Sequence, residues 1–255
     1  MDLLKAPLQT SKEEKDTMIK EVVDRLITTH GKDIIAIGVY GSVGAGNPGP
    51  YSDIEMHVIT KDGVKLESYE FIYPPYKLEI GSLERSSIIK KAKRYEATWP
   101  IWAGSFVNVL PVYDPEEFFE TLKECPFTHT EEMKVDVMRE FMIWEPYECM
   151  GKIRNAYVIG HFTFLPQGAF QLLRQTSILI GLGNRTFYST QSKMFEEAMG
   201  QASKPSGFDE LANTVLKGNL SDEESVYDQC EVLWAGLNQW FYELGIEYKR
   251  NSLPF

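Results

Sequence analysis

The apolar segment AIGVYGS at residues 36–42 and the acidic segment YSDIEM at residues 51–56 carry the fold prediction for this chain. The first belongs to a β-branched run from Ile34 to Tyr40, which is too short for a helix and therefore predicts a buried strand. Residues 41–52 contain four glycines and two prolines, a composition typical of a loop. The second segment begins a strand in which apolar and polar residues alternate. Together they predict a strand, a glycine-rich turn and a second strand.

The second strand begins with a pair of carboxylates, Asp53 and Glu55. Because side chains alternate between the faces of a strand, both acids lie on the same side. Mg²⁺ is commonly held by one or two such carboxylates together with substrate phosphates. The hydroxyls of Ser42 and Ser52, with the N–H groups of the Gly-Ser turn, are candidates for binding those phosphates. The pattern favours phosphoryl or nucleotidyl transfer; the alternative is a strand face that carries acids for solubility.

A second candidate group lies in the segment EPYECMGK at residues 145–152. Glu148 and Lys152 are four residues apart and share a helix face, and Glu145 lies one turn earlier. A carboxylate and a lysine that project together can act as the base for a hydroxyl group and as a counter-charge for phosphate. The alternative, an ordinary surface ion pair, is the more common arrangement. Pro146 predicts that a helix here is kinked or that a new helix begins.

The composition restricts the class of protein. A chain of 255 residues with 43% hydrophobic and 25% charged residues is typical of a globular protein with a substantial core. It has no apolar run of 18 residues and no signal-peptide pattern, so we expect a cytoplasmic protein without a membrane partner. The net charge of −11 argues against a nucleic-acid partner and is compatible with a cationic small molecule. The absence of a Gly-x-x-x-x-Gly-Lys motif excludes a P-loop enzyme.

The N-terminal half mixes helix and strand signals. Ser11-x-x-Glu14 is a capping box at the start of a predicted helix. A third strand is predicted at residues 76–80, where Lys77 and Glu79 share the polar face. Further predicted elements are a helix at 84–98 and a strand at 105–112.

Helical patterns dominate after about residue 127. The last of them begins with a second capping box, Ser221-x-x-Glu224. We therefore predict an α+β fold, with a mixed α/β N-terminal domain at residues 1–127 and a C-terminal helical bundle domain at residues 128–255. The predicted helices lie at residues 130–159, 167–182, 190–200, 208–217 and 222–244.

These motifs resemble those of the aminoglycoside 4′-nucleotidyltransferase (kanamycin nucleotidyltransferase) family, within the DNA-polymerase-β-like nucleotidyltransferase superfamily. The Tyr-Ser-Asp-x-Glu and Glu-x-x-x-Lys segments are together far more specific than either alone. The resemblance covers nearly the whole chain and is carried by residues 36–42, 49–56, 77–79, 99–100, 110–111, 148–155, 163–166, 205–207 and 220–222.

The resemblance implies a Mg²⁺-dependent enzyme whose N-terminal domain is of the nucleotidyltransferase type. It implies that Asp53 and Glu55 hold the metal and that Ser42 and Ser52 contact a nucleoside triphosphate, with ATP expected. Lys152 is expected to neutralise phosphate charge.

The resemblance also supplies the acceptor, an aminoglycoside antibiotic modified at its 4′-hydroxyl. Glu148 is expected to take the proton from that hydroxyl, and Glu79 and Glu145 are expected to bind ammonium groups of the drug. The family further implies a homodimer whose active sites draw on both subunits.

Some positions depart from the family pattern. Ala45 stands where the kanamycin enzyme has an arginine, and either Lys77 or Arg154 is a candidate replacement. Trp144 and Thr98 stand where that enzyme has acids, which suggests an altered range of antibiotics. Two alternatives stay open: a nucleotidyltransferase that acts on another small-molecule or protein hydroxyl, and a catalytically silent, antitoxin-like relative.

Overall fold

The β-branched run at residues 34–40 forms the strand that its sequence predicts, and a mixed sheet is built around it. The protein is described by a computed structural model covering residues 6–253 and residue 255. In this described part the sheet has five strands in the order β3-β4-β2-β1-β5. Strands β2 and β4 are parallel, and the other neighbours are antiparallel. The strands are β1 Ile34–Tyr40, β2 Ile54–Thr60, β3 Tyr69–Tyr73, β4 Tyr76–Glu84 and β5 Leu110–Tyr113.

Strand β1 is buried along its whole length because both faces of the sheet are covered. Ile37 and Val39 belong to a core cluster that includes Ile19 of the first helix. Ile35 and Ala36 belong to a second cluster. The pairing of β1 with β2 shifts in register between Ile34 and Ala36, in the part of β1 where neighbouring residues pack into different clusters. Helices α1 Lys12–His30, α2 Gly41–Gly44, α3 Arg85–Ala92, α4 Trp99–Trp102, α5 Gly104–Val107 and α6 Phe118–Leu122 complete this half of the chain.

The predicted capping box at the start of α1 is confirmed. The Ser11 hydroxyl accepts a hydrogen bond from the backbone N–H of Glu14 at 3.1 Å. The Glu14 carboxylate accepts one from the backbone N–H of Ser11 at 2.7 Å. The reciprocal pair satisfies donors that would otherwise be left free in the first turn.

Other predictions for this half need correction. The helix predicted at 84–98 ends at Ala92, and the strand predicted at 105–112 is wrong in its first part, which forms α5. Strand β3 was not predicted; all five of its residues are exposed, so it has no buried face to produce an alternating pattern. Strand β4 extends past the predicted end because its parallel pairing with β2 continues to the Thr60–Glu84 pair.

The C-terminal half is helical, as predicted. Helix α9 packs against each of the other long helices of this half and is buried over much of its length. Pro146 begins a new helix, one of the two outcomes predicted for it. The capping box predicted at Ser221 is wrong, because Asp222 is the N-cap and accepts from the Ser225 N–H at 3.0 Å. The helices are α7 Glu131–Trp144, α8 Pro146–Val158, α9 Leu165–Asn184, α10 Met194–Met199, α11 Phe208–Leu216 and α12 Glu223–Glu243.

The described residues divide into two compact units, and the α+β fold class is confirmed. One unit runs through Arg94 and includes residues 102–129; the other contains residues 95–101 and 130–255. Residues 95–101 therefore group with the helical unit, where the Pro100 carbonyl accepts a hydrogen bond from the Tyr188 N–H at 2.7 Å. The domain boundary between residues 127 and 128 stays a prediction. Within the described part of the chain, every helix is too short or too polar to cross a membrane.

The close packing around β1 leads to a stability prediction for Gly38. A methyl group at this position would overlap Val109 Cγ1 and lie 2.7 Å from Phe119 Cζ. Gly38→Ala is therefore expected to destabilise the protein by about 1–3 kcal/mol, the usual cost of overpacking a core. Urea unfolding followed by circular dichroism measures this.

Gly81→Ala is the matched control, since Gly81 is also a strand glycine. The nearest atom to its added methyl group would be the Met56 carbonyl oxygen at 3.6 Å, an ordinary contact. This variant is expected to be as stable as the parent protein or more stable by roughly 0.5–1 kcal/mol. Equal stabilities for the two variants would contradict the packing described around β1.

Candidate active site

The sheet brings the carboxylates of Asp53, Glu55 and Glu79 together. Asp53 precedes β2, Glu55 lies within it, and Glu79 lies on β4 directly beside Glu55 in the parallel register. Ile54, between the two acids of β2, is fully buried, whereas the three acids are partly exposed. The alternation predicted from the sequence therefore holds, and one face of β2 presents both acids.

Negative charge is crowded at this face. Burial, followed by the charges of Asp53 and Glu79, raises the pKa of Glu55 to about 7. Lys77 partly compensates, since its Nζ lies 3.1 Å from Asp53 Oδ2 and 3.1 Å from Glu70 Oε1. A carboxylate whose pKa is raised by like charges lies where a bound cation would be stabilised.

The residues present fit a Mg²⁺ ion that is completed by substrate. Among the residues that the structure describes, no group of three or more His, Cys, Asp and Glu side chains is arranged as a metal site. Mg²⁺ seldom requires one, because it usually keeps several waters and binds one or two carboxylates plus substrate phosphates. Asp53 and Glu55 supply that donor set, and their assignment as metal ligands stays a prediction.

The turn after β1, whose residues Gly41–Gly44 form the single helical turn α2, contacts Glu55. Gly41 has a φ of +66°, in the left-handed region that favours glycine. A methyl group on Gly41 would overlap the Oε2 atom of Glu55. Glycine is therefore required here both by the backbone and by the close approach of the carboxylate.

The predicted phosphate-binding serines lie together. The Ser42 hydroxyl donates to the Ser52 hydroxyl at 2.8 Å, and the Gly49 N–H donates to the same Ser52 oxygen at 2.9 Å. The loop that carries Ser52 is held by the N-terminal segment, where the Thr10 N–H donates to the Pro50 carbonyl at 2.8 Å. These bonds place two hydroxyl groups side by side, next to the turn that contacts Glu55.

Tyr40, the last residue of β1, is a site residue that the sequence analysis did not identify. Its hydroxyl donates to Glu79 Oε1 at 2.8 Å, and its ring stacks on His57 with 4.0 Å between centroids. Nε2 of His57 lies 2.9 Å from the Ser105 carbonyl, and burial lowers the pKa of His57 to about 4. His57 is therefore a satisfied core histidine. The feature of the sequence that could have identified Tyr40 is its position as an aromatic residue directly before the Gly-Ser turn.

In the helical unit, Glu148 and Lys152 form the predicted i,i+4 pair on α8. The Lys152 ammonium lies 2.7 Å from Glu148 Oε1, and more than half of each side chain is exposed. Glu145 lies between α7 and α8 and accepts a hydrogen bond from Gln175 Nε2 at 2.8 Å. This geometry is also that of an ordinary surface ion pair, so the catalytic roles of these residues stay predictions.

The two candidate replacements for the missing arginine have different surroundings. Arg154 forms a bidentate ion pair with Glu231, with both N···O distances at 2.7 Å. Lys77 lies at the strand carboxylates, where its contact with Asp53 raises the pKa of the lysine. Of the two, Lys77 is the cation that belongs to the carboxylate face.

The contact between the turn and Glu55 predicts the effect of Gly41→Ala. The added methyl group forces the Glu55 carboxylate to move, so affinity for the metal ion assigned to Glu55 is expected to fall about ten- to a hundredfold, the usual cost of disturbing the groups that orient a metal ligand. Binding of Mn²⁺ as a paramagnetic substitute for Mg²⁺, measured by electron paramagnetic resonance with a non-hydrolysable ATP analogue present, tests this.

Gly46→Ala is its control, because Gly46 also has a positive φ of +76° but has open space around its Cα. Both variants place an alanine at a positive φ, and Gly41→Ala alone displaces a carboxylate. If Gly46→Ala loses as much Mn²⁺ affinity as Gly41→Ala, backbone strain and not the contact with Glu55 explains the loss.

Comparisons with known proteins identify the fold and the family of this chain. A nucleotidyltransferase-like protein from Exiguobacterium sibiricum 255-15 has a similar fold, with a TM-score of 0.50 and 12% identity over 88% of this chain and 75% of that one. Residues 116–247 match the family model of the KNTase C-terminal domain. Two aminoglycoside nucleotidyltransferases (4′), from Staphylococcus aureus and a Bacillus species, are each 32% identical over 237 residues, covering 93% of this chain and 94% of theirs. The chain therefore belongs to the aminoglycoside 4′-nucleotidyltransferase family and is an enzyme of the nucleotidyltransferase class.

Proposed function

We propose that this enzyme transfers a nucleoside monophosphate from a nucleoside triphosphate to the 4′-hydroxyl of an aminoglycoside antibiotic, in a Mg²⁺-dependent reaction that confers resistance. The observation that carries the proposal is the crowding of Asp53, Glu55 and Glu79 beside paired serine hydroxyls. This arrangement is found in a chain whose relatives are named for nucleotidyl transfer to aminoglycosides.

The nucleotide is assigned to the strand carboxylates and the turn. Asp53 and Glu55 would hold Mg²⁺, which supplies charge neutralisation at the transferred phosphoryl group when it is bound. Ser42 and Ser52 would donate their hydroxyl hydrogens to phosphate oxygens, replacing the bond that now joins them. Lys77, already at Asp53, would supply positive charge where the family has an arginine.

The acceptor is assigned to Glu148, Glu145 and Glu79. The 4′-oxygen of the drug attacks the α-phosphorus, the bond from phosphorus to the pyrophosphate oxygen breaks, and Glu148 takes the hydroxyl proton. Exposed ion pairs open at little cost, so Glu148 can turn to the hydroxyl while Lys152 turns to phosphate. Glu79 and Glu145 would bind ammonium groups, each bond to a charged group contributing about 1.5–3 kcal/mol.

We further infer a homodimer with shared active sites and a cytoplasmic location, where nucleoside triphosphates are supplied. The exposed edge strand β3 supports an interface, because the alternation of the strand places Tyr69, Phe71 and Tyr73 on one face, and all three are exposed. A net charge of −11 favours a polycationic acceptor over a nucleic acid.

Mass spectrometry of the reaction products tests the proposed function. Pure protein is incubated with ATP, Mg²⁺ and a panel of acceptors that includes kanamycin, tobramycin and neutral sugars. The expected result is one adenylyl group on the drugs and none on the neutral sugars, with the new phosphodiester located at the 4′-oxygen by nuclear magnetic resonance. Transfer to another hydroxylated compound, or nucleotide binding without turnover of any acceptor, would refute it.

Glu148→Gln tests the assignment of the base. An amide cannot take the hydroxyl proton, so turnover is expected to fall by about 10²–10⁴, the usual contribution of general-base catalysis. Nucleotide affinity is expected to stay within twofold of the parent enzyme. Glu140→Gln, an exposed acid-to-amide change on α7, is the control and should keep full turnover. Near-normal turnover in Glu148→Gln would remove this residue from the role.

Asp53→Asn tests the metal assignment. Loss of a ligand worth several kcal/mol of charge stabilisation is expected to lower Mg²⁺-dependent turnover at least about a hundredfold. The unfolding midpoint should change little, because this side chain lies at a partly exposed face. Asp24→Asn on the exposed face of α1 is the matched control. Retained activity with an unchanged Mg²⁺ requirement would count against Asp53 as a ligand.

A further inference from the structure

The hydroxyl of Tyr40 reaches a carboxylate two strands away. Tyr40 ends β1, Glu79 lies on β4, and β2 runs between them. Neighbouring strands are about 4.8 Å apart, so the hydroxyl bridges roughly 10 Å of sheet to meet Glu79 Oε1 at 2.8 Å. A tyrosine is long enough to place a neutral donor at that distance, and no shorter hydroxyl side chain is.

The ring that carries this hydroxyl is held firmly. Tyr40 is only 9% exposed, and its ring stacks on His57 with an interplanar angle of 17°. His57 in turn stacks on Phe106, with centroids 5.5 Å apart, and its Nε2 lies at the Ser105 carbonyl. The stacked rings of Tyr40, His57 and Phe106 fix the direction of the Tyr40 hydroxyl. The hydrogen bond from this hydroxyl then fixes the position of one Glu79 oxygen.

The chemistry of the donor matters because Glu79 must stay negative to bind a cation. Burial and the neighbouring carboxylates raise the pKa of Tyr40, which keeps the phenol protonated and uncharged. A neutral donor orients the carboxylate of Glu79 without cancelling its charge, in contrast to Lys77 at Asp53. The second oxygen of Glu79 is left to accept from a ligand.

We propose that Tyr40 is a positioning residue that holds Glu79 in the orientation that binds an ammonium group of the acceptor. The proposal rests on the proposed function and deepens it, because it assigns Tyr40 to acceptor binding and not to nucleotide binding or proton transfer. A residue with this role changes KM for the acceptor and leaves the chemical step unchanged.

Tyr40→Phe tests the proposal, since it keeps the aromatic ring in the stack and removes the hydroxyl. The KM for kanamycin is expected to rise about five- to thirtyfold, while kcat and the KM for ATP stay within twofold. In a Glu79→Ala background, the same change is expected to alter the KM for kanamycin less than twofold, because the carboxylate that Tyr40 positions is gone.

Tyr227→Phe is the matched control. The Tyr227 hydroxyl also donates to a carboxylate, Glu231 Oε1, at 2.8 Å, and its ring stacks on Tyr157 with 3.8 Å between centroids, but this pair lies on α12 in the helical unit. Its kinetic constants should equal those of the parent enzyme. An unchanged KM in Tyr40→Phe, an equal rise for both substrates, or an equal rise in the Glu79→Ala background would overturn the role of Tyr40.

The parent enzyme in the same assay separates the two hypotheses. If it transfers no nucleotide to any aminoglycoside, the proposed function fails and the role of Tyr40 fails with it. If the parent enzyme adenylylates kanamycin and Tyr40→Phe does so with unchanged constants, the proposed function stands and the positioning role alone is overturned.

Discussion

Repulsion among the carboxylates of Asp53, Glu55 and Glu79 is the constraint on which the rest of the site depends. Parallel pairing of β2 and β4 places Glu55 directly beside Glu79, and the alternation of β2 places Asp53 on the same face. Burial, together with the charges of Asp53 and Glu79, raises the pKa of Glu55 to about 7. A sheet that maintains such crowding is adapted to bind positive charge, and both a divalent ion and an ammonium group supply it.

Each of the three acids has a different neighbour. Lys77 forms an ion pair with Asp53, and Tyr40 donates a neutral hydrogen bond to Glu79. The turn at Gly41 leaves space for the remaining carboxylate, that of Glu55. Asp53 is paired with a cation, Glu79 accepts from a neutral donor, and Glu55 is packed against the glycine of the turn, so the three carboxylates differ in their surroundings. The neutral donor at Glu79 supports the proposal that this acid binds the acceptor, and the assignment of Asp53 and Glu55 to the metal ion stays a prediction.

Local sequence was sufficient for features that depend on neighbouring residues in the chain, such as the capping box of α1 and the shared face of Asp53 and Glu55. It was insufficient for β3, whose residues are all exposed, and for residues 104–107, which form a helix of four residues that is too short to show a helical period. The bond between Tyr40 and Glu79 could not be predicted either, because it depends on the order of the strands and not on their composition.

The position of a bound metal ion is the most direct test of the proposal that Asp53 and Glu55 hold Mg²⁺. Crystals grown with Mn²⁺ and a non-hydrolysable ATP analogue would show the ion by its anomalous scattering. We expect a peak between the carboxylates of Asp53 and Glu55, about 2 Å from an oxygen of each and of the nucleotide phosphates. A nucleotide bound with its metal elsewhere, away from both carboxylates, would contradict the assignment of Asp53 and Glu55 as metal ligands.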